Sequence, residues 1–389
     1  MSLNTLPIEI KTLTPIHIGT GVELQHNYEY VYFAAERQIA VLDERKVQAL
    51  IGKEHIDHWV AAIDQGLNIL EHLPQLHGAK AVDLAQRVIA IASKTPSDGP
   101  ASIKAQIHLG NQEPCIPGSS LKGAIRTAIL TYLIKKDSSF AQDERNLGSR
   151  RDFHARQIEA NYLGRKDRPN RDGELEQSPN KDLMRFLRVG DAYFSGETTL
   201  VKNTIINLFQ HGWGEKKEES SYYECIPAGL TSTGSLQIPH ELLNLVQQKG
   251  YIRNGHFDLL APKRLFKLIN AHTQHLLKNE IDFWNEEEDP IALGDYLEHL
   301  NQLQETIASC DEHSCILRVG ASSGWDFMTG AWSAGLDVMG DDILAYDTWL
   351  ELKRDIRKPK NYPDDMVFPK TRKLIEGGEP LGFVKIKLN

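Results

Sequence analysis

Strand-type and helix-type segments alternate irregularly along this chain, and this alternation limits its fold more than any other feature. Long insertions separate short strands, and no G-x-G-x-x-G turn directly follows a strand. We therefore predict an α+β fold rather than a doubly wound α/β sheet. Apolar periodicity and turn residues predict strands in 7–42, at about 102–109, at 187–194, at 197–208, in 222–238 and at 383–388, and helices at about 121–133, 240–249, 261–285 and 291–309.

The length of 389 residues suggests two or three units, at about 150 residues per domain. We predict a first unit at 1–239 and a second unit at 240–389. The first unit contains a helical insert at 44–93, which ends in the Pro- and Gly-containing run 93–100, and a flexible basic loop at 137–182. The second unit is helical with glycine turns and returns a strand to the core of the first.

The net charge of −9 argues against a nucleic-acid partner when it is averaged over the whole chain. However, residues 279–312 contain eleven acidic residues and no Lys or Arg, so the rest of the chain carries +2. The segments 145–171 and 353–373 each contain eight basic and three acidic residues. Because salt screens charges beyond roughly 8 Å, a local basic surface can bind a polyanion on an acidic protein. The alternative, that these segments are solvated loops and a solvated helix, stays open.

The segment 116–127 carries the most specific pattern in the chain. Pro117-Gly118 predicts a tight turn, and one of the serines at 119–120 can cap the following helix, which leaves its first amides free to bind an anion. Lys122 and Arg126 are four residues apart and share one helix face. Together these features predict a phosphate-binding site. The spacing of a Walker A loop is not met, and an ordinary capped helix is the alternative.

Five short segments make the chain resemble a known family. Ile116–Arg126 resembles the signature of RAMP proteins, the RRM-derived subunits of CRISPR effector complexes. Leu13–Gly21, with Val41–Asp43 after a predicted hairpin, resembles the start of the RAMP subunits that cap the 3′ end of the crRNA filament in type III-A (Csm) complexes. Arg318–Trp325 and Pro380–Lys385 resemble the two C-terminal glycine turns of that family.

The resemblance implies an RRM-like (ferredoxin-like) core with large helical insertions and a mixed C-terminal region. It also implies a crRNA-binding subunit that caps the backbone filament and supports crRNA maturation and antiviral defence. The implied partners are crRNA, target RNA nearby, a backbone RAMP subunit, other Csm subunits, and host nucleases that trim the guide.

Motif chemistry and the resemblance together give a set of candidate RNA-binding residues. Glycines let an RNA backbone approach closely, while cations and hydroxyls contact phosphates and sugars. Aromatic residues at 28, 30 and 32 alternate on one predicted strand, where they stack on bases or pack against a helix. The candidate RNA-binding residues are His17, Gly19, Gly21, Gly118, Ser119, Ser120, Lys122, Arg126, Arg150, Arg151, Arg318, Ser322, Ser323 and Gly324.

We predict no catalytic residue, no metal and no cofactor. Metal-free RNA cleavage needs His or Lys acid/base groups at a splayed phosphate, and His17 is the best single candidate. The alternative function is therefore a ribonuclease that processes crRNA or target RNA with His17 and Lys122 or Arg126. A RAMP subunit of the related type III-B complex is a second alternative.

No stretch approaches the roughly 18 to 20 apolar residues of a membrane span. Met1–Leu6 lacks the basic start and long apolar core of a signal peptide. We therefore predict a cytoplasmic protein without membrane contact. The four cysteines, mostly far apart and without zinc spacing, favour reduced thiols, no disulfide and no structural metal.

Overall fold

The computed structural model describes residues 4–137, 156–164, 182–209, 212–248, 256–287, 293–328 and 369–389. The strands in these ranges are β1 (Asn4–Thr12), β2 (Gly19–Gln25), β3 (Tyr30–Phe33), β4 (Gln38–Leu42), β5 (Ala85–Ile91), β6 (Ser102–Gln106), β7 (Cys115–Ile116), β8 (Arg188–Val189), β9 (Ala192–Tyr193), β10 (Thr198–Phe209), β11 (Gly212–Glu215), β12 (Ser221–Cys225), β13 (Thr231–Ile238), β14 (Ser314–Arg318), β15 (Thr371–Ile375) and β16 (Phe383–Leu388). The α-helices are α1 (Glu44–Ile51), α2 (Ile56–Asp64), α3 (Ile69–His72), α4 (Ala81–Leu84), α5 (Gly118–Lys135), α6 (Arg156–Leu163), α7 (His240–Gln248), α8 (Pro262–Glu286) and α9 (Tyr296–Ala308). This mixture confirms the predicted α+β class. None of the described helices is long and apolar enough to cross a membrane.

The first sheet has five antiparallel strands in the order β14-β16-β1-β13-β8. β1 lies inside the sheet because it pairs with β13 on one side and with β16 on the other. Alternate residues of a strand face opposite sides of a sheet. Ile8 and Ile10 therefore share one face, where both are fully buried, while Glu9 and Lys11 share the other. The strand predicted at 383–388 is β16 and is confirmed.

Helix α5 and the N-terminal half of α8 cover the face that carries Ile8 and Ile10. In α5, Leu121, Ile125 and Ile129 recur every four residues, so they form one buried stripe. This stripe belongs to the same hydrophobic cluster as the inner residues of β1, β16 and the first half of α8. The helix predicted at 121–133 is thus confirmed, and its apolar periodicity is what places it on the sheet.

Side chains of α8 then pair with the outer edge of β14. Asn270 Nδ2 donates to the carbonyl oxygen of Ser314 (2.9 Å), and its Oδ1 accepts from the N–H of Ile316 (3.0 Å). The hydroxyl of Thr273 donates to the carbonyl oxygen of Ile316 (2.8 Å). An edge strand otherwise presents unpaired N–H and C=O groups to any passing strand. Helix α8 therefore closes this edge of the first sheet.

The C-terminal half of α8 packs with α9 over the other face of β14, and these two helix segments carry five residues of the acidic tract 279–312. The tract is not uniformly solvated, because the side chain of Glu280 is only 15% exposed. It accepts hydrogen bonds from Arg372 (2.5 and 2.9 Å), Trp284 Nε1 (2.7 Å) and the Tyr296 hydroxyl (3.1 Å). Burial acts to raise the pKa of Glu280, but Arg372 and these hydrogen bonds hold it below its ordinary value.

The second sheet runs in the order β2-β6-β12-β10-β5-β4-β3, and β11 and β15 also pair with β10. Inward side chains from several of its strands, among them Leu24, Ile39 and Ile103, share one core. The sheet is therefore curled around that core. Helices α1 to α4 pack on β3, β4 and β5 through a separate cluster that includes Val47 and Leu84.

The helical insert predicted at 44–93 is shorter than expected. Its helices end at Leu84, and residues 85–91 form β5, which pairs with β4 and β10. The prediction of a helix for residues 85–91 was wrong. The β-branched residues Val88, Ile89 and Ile91 concentrate there, and such residues favour a strand paired on both sides.

The predicted basic loop at 137–182 contains a helix. Residues 138–155 and 165–181 lie outside the described residues, but α6 occupies 156–163. Ile158 and Leu163 of α6 are buried in the cluster that contains the α5 stripe. The division into units at 1–239 and 240–389 stays a prediction, and β14 and β16 from the second range lie in the same sheet as β1.

We expect Asn270→Ala to lower the free energy of unfolding by about 1–3 kcal/mol, because it leaves a buried N–H and a buried C=O of β14 without a partner. Gln274→Ala is the matched control, since Gln274 is exposed on the same helix. Urea denaturation of both variants measures the difference. Equal unfolding free energies would show that Asn270 does not protect the strand edge.

Candidate nucleic-acid interface

Sequence motifs that lie far apart in the chain meet where β1 and β14 end and β16 begins. The N–H of Ala321 donates to the carbonyl oxygen of His17 (2.8 Å). The N–H of Gly382 donates to the carbonyl oxygen of Pro15 (3.0 Å). The first motif segment and the two C-terminal glycine turns therefore form one structural unit.

This close approach requires glycine at position 320. The backbone of Gly320 has φ +80°, and a Cβ there would lie 2.4 Å from the carbonyl oxygen of His17. Gly324 also has a positive φ, at +78°, but a Cβ there would meet nothing within 4 Å. The turn therefore needs Gly320 for both space and conformation, and Gly324 for conformation alone.

The side chain of Gln106 joins the start of α5 to the same unit. Its Oε1 accepts from the N–H of Ile18 (2.8 Å), and its Nε2 donates to the carbonyl oxygen of Cys115 (2.9 Å). Gln106 is only 1% exposed, so these bonds are shielded from water. The segment 116–127 thus lies beside the segment 13–21.

The N-terminus of α5 is capped differently from the prediction. Pro117 occupies the N-cap without a side-chain hydrogen bond, so the predicted serine cap is wrong. The Asp191 carboxylate from the β8–β9 connection instead accepts from the N–H of Gly118 (2.7 Å). A carboxylate at this position already satisfies part of the positive helix end. A phosphate at this helix end would have to lie beside the carboxylate, near the exposed Ser119 and the half-buried Ser120.

His17 is buried and held by its neighbours. Its Nδ1 lies 2.7 Å from the carbonyl oxygen of Glu224, and its ring stacks on Tyr223 with a centroid distance of 4.6 Å. Only 3% of His17 is exposed, and burial lowers its pKa, which favours the neutral ring. The side chain assigned to RNA therefore packs inside the protein. The backbone of His17 positions the glycine turn, because its carbonyl oxygen accepts a hydrogen bond from the N–H of Ala321 in that turn.

Arg318 and Ser323 also make internal contacts in place of the expected RNA contacts. Arg318 is 7% exposed, and it donates to the carbonyl oxygens of Leu381 (2.9 Å) and Ser322 (3.1 Å). The Ser323 hydroxyl donates to the carbonyl oxygen of Gly320 (2.7 Å). These bonds hold the turn closed, because its buried carbonyl groups need donors.

Arg126 forms ion pairs within the protein. Its guanidinium contacts Asp182 (2.6 Å) and Glu159 (2.9 Å), so a phosphate would have to compete with two carboxylates. The spacing of Lys122 and Arg126 predicted one shared cationic face, but the carboxylates neutralise the second member. Arg150 and Arg151 lie outside the described residues.

The remaining candidates are accessible or partly accessible. Lys122 is half-buried and forms no ion pair with the residues the structure describes. Burial lowers the pKa of Lys122, and the carboxylate of Asp182 offsets part of that shift. The hydroxyl of Ser322 donates to Asn203 Oδ1 (3.0 Å). Four of the candidate RNA-binding residues are exposed, namely Gly19, Gly21, Ser119 and Gly324.

A polar surface that the sequence analysis did not assign lies on the first sheet, on the face of β16, β1, β13 and β8 that α5 does not cover. Its cations are Lys11, Arg188, Lys385 and Lys387, and its carboxylate is Glu9. We call this surface, with its neutral members, the open sheet face. The neutral members are Thr5, Pro7, Thr231, Thr233, Ser235 and Gln237.

Cations stand at both ends of the open sheet face. At one end, Lys11 of β1 lies opposite Lys385 of β16. At the other end, Arg188 of β8 lies opposite Gln237 of β13, which in turn lies opposite Thr5 of β1. Six residues of β1 separate the two ends, which corresponds to about 20 Å. None of the four cations forms an ion pair with the described residues. The surface is therefore an extended cationic track with hydroxyl groups between its ends.

The signal for this surface was present in the sequence as strand alternation. Glu9-Ile10-Lys11 and Lys385-Ile386-Lys387 each place polar residues on one face of a strand. The predicted aromatic stacking face does not form, because Tyr30 is fully buried in the core of the second sheet. Tyr28 precedes β3 and is 60% exposed, and Tyr32 is half-buried.

Comparison with known proteins identifies the family. Residues 9–325 match the sequence profile of the RAMP superfamily. The chain belongs to the RAMP superfamily. No curated protein sequence matches this RAMP protein.

Two solved structures share the fold of this RAMP protein. One is a chain of a cryo-EM structure of a Csm–crRNA–target RNA ternary complex of a type III-A CRISPR-Cas system, with a TM-score of 0.73 and 22% identity over 99% of this chain and 100% of that chain. The other is the crystal structure of Csm5 from T. onnurineus, with a TM-score of 0.68 and 22% identity over 97% of this chain and 99% of that chain. The likeness extends over nearly the full length of each.

The four cysteines of this RAMP protein are free thiols, and three of them are buried. Burial raises the pKa of Cys115 to about 11, which keeps the thiol protonated. Within the described ranges, no three His, Cys, Asp or Glu side chains are grouped so that they could hold a metal ion.

Gly320→Ala should destabilise the protein more than Gly324→Ala. Both substitutions force an L-residue into positive φ, at a cost of about 1–2 kcal/mol. Gly320→Ala also pushes the turn away from His17, so the N–H of Ala321 loses its acceptor, at a further cost of about 1–3 kcal/mol. Thermal or urea unfolding of the two variants gives the comparison. Equal losses would mean that the contact between the turn and His17 contributes nothing.

Proposed function

We propose that this RAMP protein is the crRNA-binding subunit of a type III-A (Csm) effector complex. In this proposal it binds the 3′ portion of the guide, caps the backbone filament, and supports crRNA maturation and antiviral defence. Its partners are crRNA, nearby target RNA, a backbone RAMP subunit, other Csm subunits and host nucleases that trim the guide, all in the cytoplasm. RAMP membership and the full-length fold likeness to a chain of a Csm–crRNA–target RNA complex support this assignment.

The topology of the first sheet supports an RRM-like core as part of this proposal. The strands β16-β1-β13-β8 are antiparallel neighbours in that order. Helix α5 lies between β1 and β8 along the chain, and α8 lies between β13 and β16. This is the β-α-β-β-α-β succession of a ferredoxin-like unit. β14 is then an addition at its outer edge.

The open sheet face is the single observation that carries the RNA-binding proposal. RNA backbones are held mainly by cations and hydrogen-bonding side chains that contact phosphates and sugars. The open sheet face offers four cations without ion-pair partners among the described residues, and serine and threonine hydroxyls lie between them. Lys122 lies close enough to Arg188 for their charges to interact, so it extends the track toward α5.

The glycine-turn unit adds exposed backbone at the end of this track. Lys11 and Lys385 lie in the last residues of β1 and the first residues of β16, next to the turn held by His17. The exposed backbone of Gly19 and Gly324 carries no side chain that obstructs a sugar-phosphate chain. In this proposal the guide runs along the open sheet face and leaves it past the turn.

The ribonuclease alternative receives less support from the same geometry. General acid/base catalysis needs a His within hydrogen-bond reach of the reacting group. The ring of His17 is 3% exposed and bonded to the backbone of Glu224, and Arg126 is engaged by two carboxylates. We therefore favour an RNA-binding role, not a catalytic one, for the surface around His17 and Arg126.

Substituting Lys11, Lys385 and Lys387 by Gln should weaken RNA binding and flatten its salt dependence. Each lost phosphate contact reduces the slope of log affinity against log salt by about 0.7 for a single strand. Three lost contacts therefore reduce it by about 2. Fluorescence anisotropy with a guide-length RNA at several KCl concentrations gives both the affinity and the slope.

The matched control is a triple substitution of Lys53, Lys80 and Lys267 by Gln, because these exposed lysines form no ion pair with the described residues. It changes the net charge by the same amount at residues that do not belong to the open sheet face. We expect its salt slope to equal that of the wild type. If both triple variants reduce the slope equally, the effect comes from total charge and the proposed RNA path is wrong.

Assembly with partner subunits tests the capping role. A reconstituted effector complex that contains this protein should protect more 3′ nucleotides of the guide from a 3′ exonuclease than a complex that lacks it. The triple variant of the open sheet face should give intermediate protection. Protection at the 5′ end instead would overturn the capping position. Incorporation with type III-B rather than type III-A partners would support the type III-B alternative.

A further inference from the structure

A cavity of about 180 Å³ opens on the second sheet, and none of its lining residues belongs to the open sheet face. Its lining includes Arg87 and Val88 of β5, His108 after β6, and Glu197 and Thr198 at the start of β10. Neither the fold's apolar packing nor the proposed RNA path uses this cavity. Its polar lining therefore needs a separate explanation.

The floor of the cavity is a fixed hydrogen-bond network around Glu224, which has no solvent exposure. One carboxylate oxygen accepts from Arg87 Nε (2.8 Å) and from the Thr198 hydroxyl (2.9 Å). The other accepts from Arg87 Nη2 (3.1 Å) and from the N–H of Gln106 (3.1 Å). Four donors satisfy both oxygens, so Glu224 has no need of a further donor.

Arg87 keeps donors for a ligand. It uses Nε and one hydrogen of Nη2 on Glu224, and one hydrogen of Nη1 on Gln112 Oε1 (3.1 Å). A guanidinium has five N–H donors, so two are left over in the contacts that the described residues make. Because Arg87 lines the cavity, these donors are available to an acceptor inside it.

His108 presents an unsatisfied acceptor to the same cavity. Its Nδ1 lies 2.9 Å from the carbonyl oxygen of Gln106, which can only accept, so Nδ1 carries the proton. The other nitrogen, Nε2, is buried without a hydrogen-bond partner. Oε1 of Glu224 lies 3.4 Å from Nε2 and is itself an acceptor. Burial lowers the pKa of His108, which favours the neutral ring, and in that ring Nε2 can accept from a donor in the cavity.

We propose that the cavity receives one unpaired nucleobase of the bound RNA. The base donates an N–H to His108 Nε2 and accepts from Arg87, and it lies against Val88. Every RNA base carries donors and acceptors on the same edge, and proteins read single-stranded RNA through bases that are turned out in this way. The volume lies below the roughly 300 Å³ of sites for larger ligands, so one base fits better than a whole nucleotide.

This inference rests on the proposed RNA-binding function, and the experiment separates the two. A set of guide-length RNAs, each lacking the base at one position, is titrated onto the full-length protein. We expect one position at which base removal weakens wild-type binding by about tenfold, as expected when one base loses its contacts. His108→Asn should abolish the difference at that position. Asn keeps a donor for the Gln106 carbonyl oxygen but removes the acceptor at Nε2.

Two further variants guard against trivial explanations. Glu197 is exposed at the cavity and forms no ion pair with the described residues, so Glu197→Trp should block the cavity without disturbing its floor. It should abolish the same positional difference. The triple variant of the open sheet face should weaken all RNAs equally and keep the positional difference.

The outcomes are distinct. If RNA binds with the expected salt slope but no position responds to His108→Asn or Glu197→Trp, the cavity holds only water and this inference is wrong while the proposed function stands. If no RNA binds to the protein at any salt concentration, the proposed function itself fails. A positional difference that persists in both variants also overturns the inference, because the base then binds elsewhere.

Discussion

The hydrogen bonds of the buried residue Glu224 connect the second sheet to the border of the first. A carboxylate without solvent exposure is tolerated only when several donors satisfy it, and removing one partner costs about 3–5 kcal/mol. Arg87, Thr198 and Gln106 bring those donors from three different strands of the second sheet. The backbone of Glu224 also accepts from the ring of His17, whose own carbonyl oxygen anchors the glycine turn beside the first sheet. One residue thus links three strands of the second sheet to the turn beside the first.

The acidic and basic residues of the chain lie in different parts of the structure. The acidic tract 279–312 supplies more negative charge than the whole excess, and five of its eleven acidic residues lie in the second half of α8 and in α9. Its buried member, Glu280, is neutralised by Arg372. The open sheet face instead carries four cations and one carboxylate. Because contact depends on charges within about a Debye length, this local excess decides whether RNA can bind there, not the sum over the chain.

Much of the fold could be predicted from periodicity, but less of the site could. The α5 stripe and the alternation of β16 depend on local spacing, and both appear in the structure. Residues 85–91 were misassigned because a short apolar run fits a helix or a buried strand equally well. The motif segments do meet, yet His17 and Arg318 face inward, since the sequence gives no sign of which donor a buried carbonyl group will need. The open sheet face was missed because its four cations come from three separate strands.

In the proposed function, the chemistry of the open sheet face limits how the protein can hold a guide. Its members include no aromatic side chain, so base stacking is not available there, in contrast to an RRM sheet that stacks bases on aromatic residues. Cations and hydroxyls contact phosphates, sugars and 2′-hydroxyl groups, all of which are the same in every guide. A subunit that must accept many different guides needs this kind of affinity. In our proposals base recognition is confined to the cavity beside His108, where the Gln106 carbonyl oxygen holds the ring of His108 and the buried carboxylate of Glu224 holds Arg87.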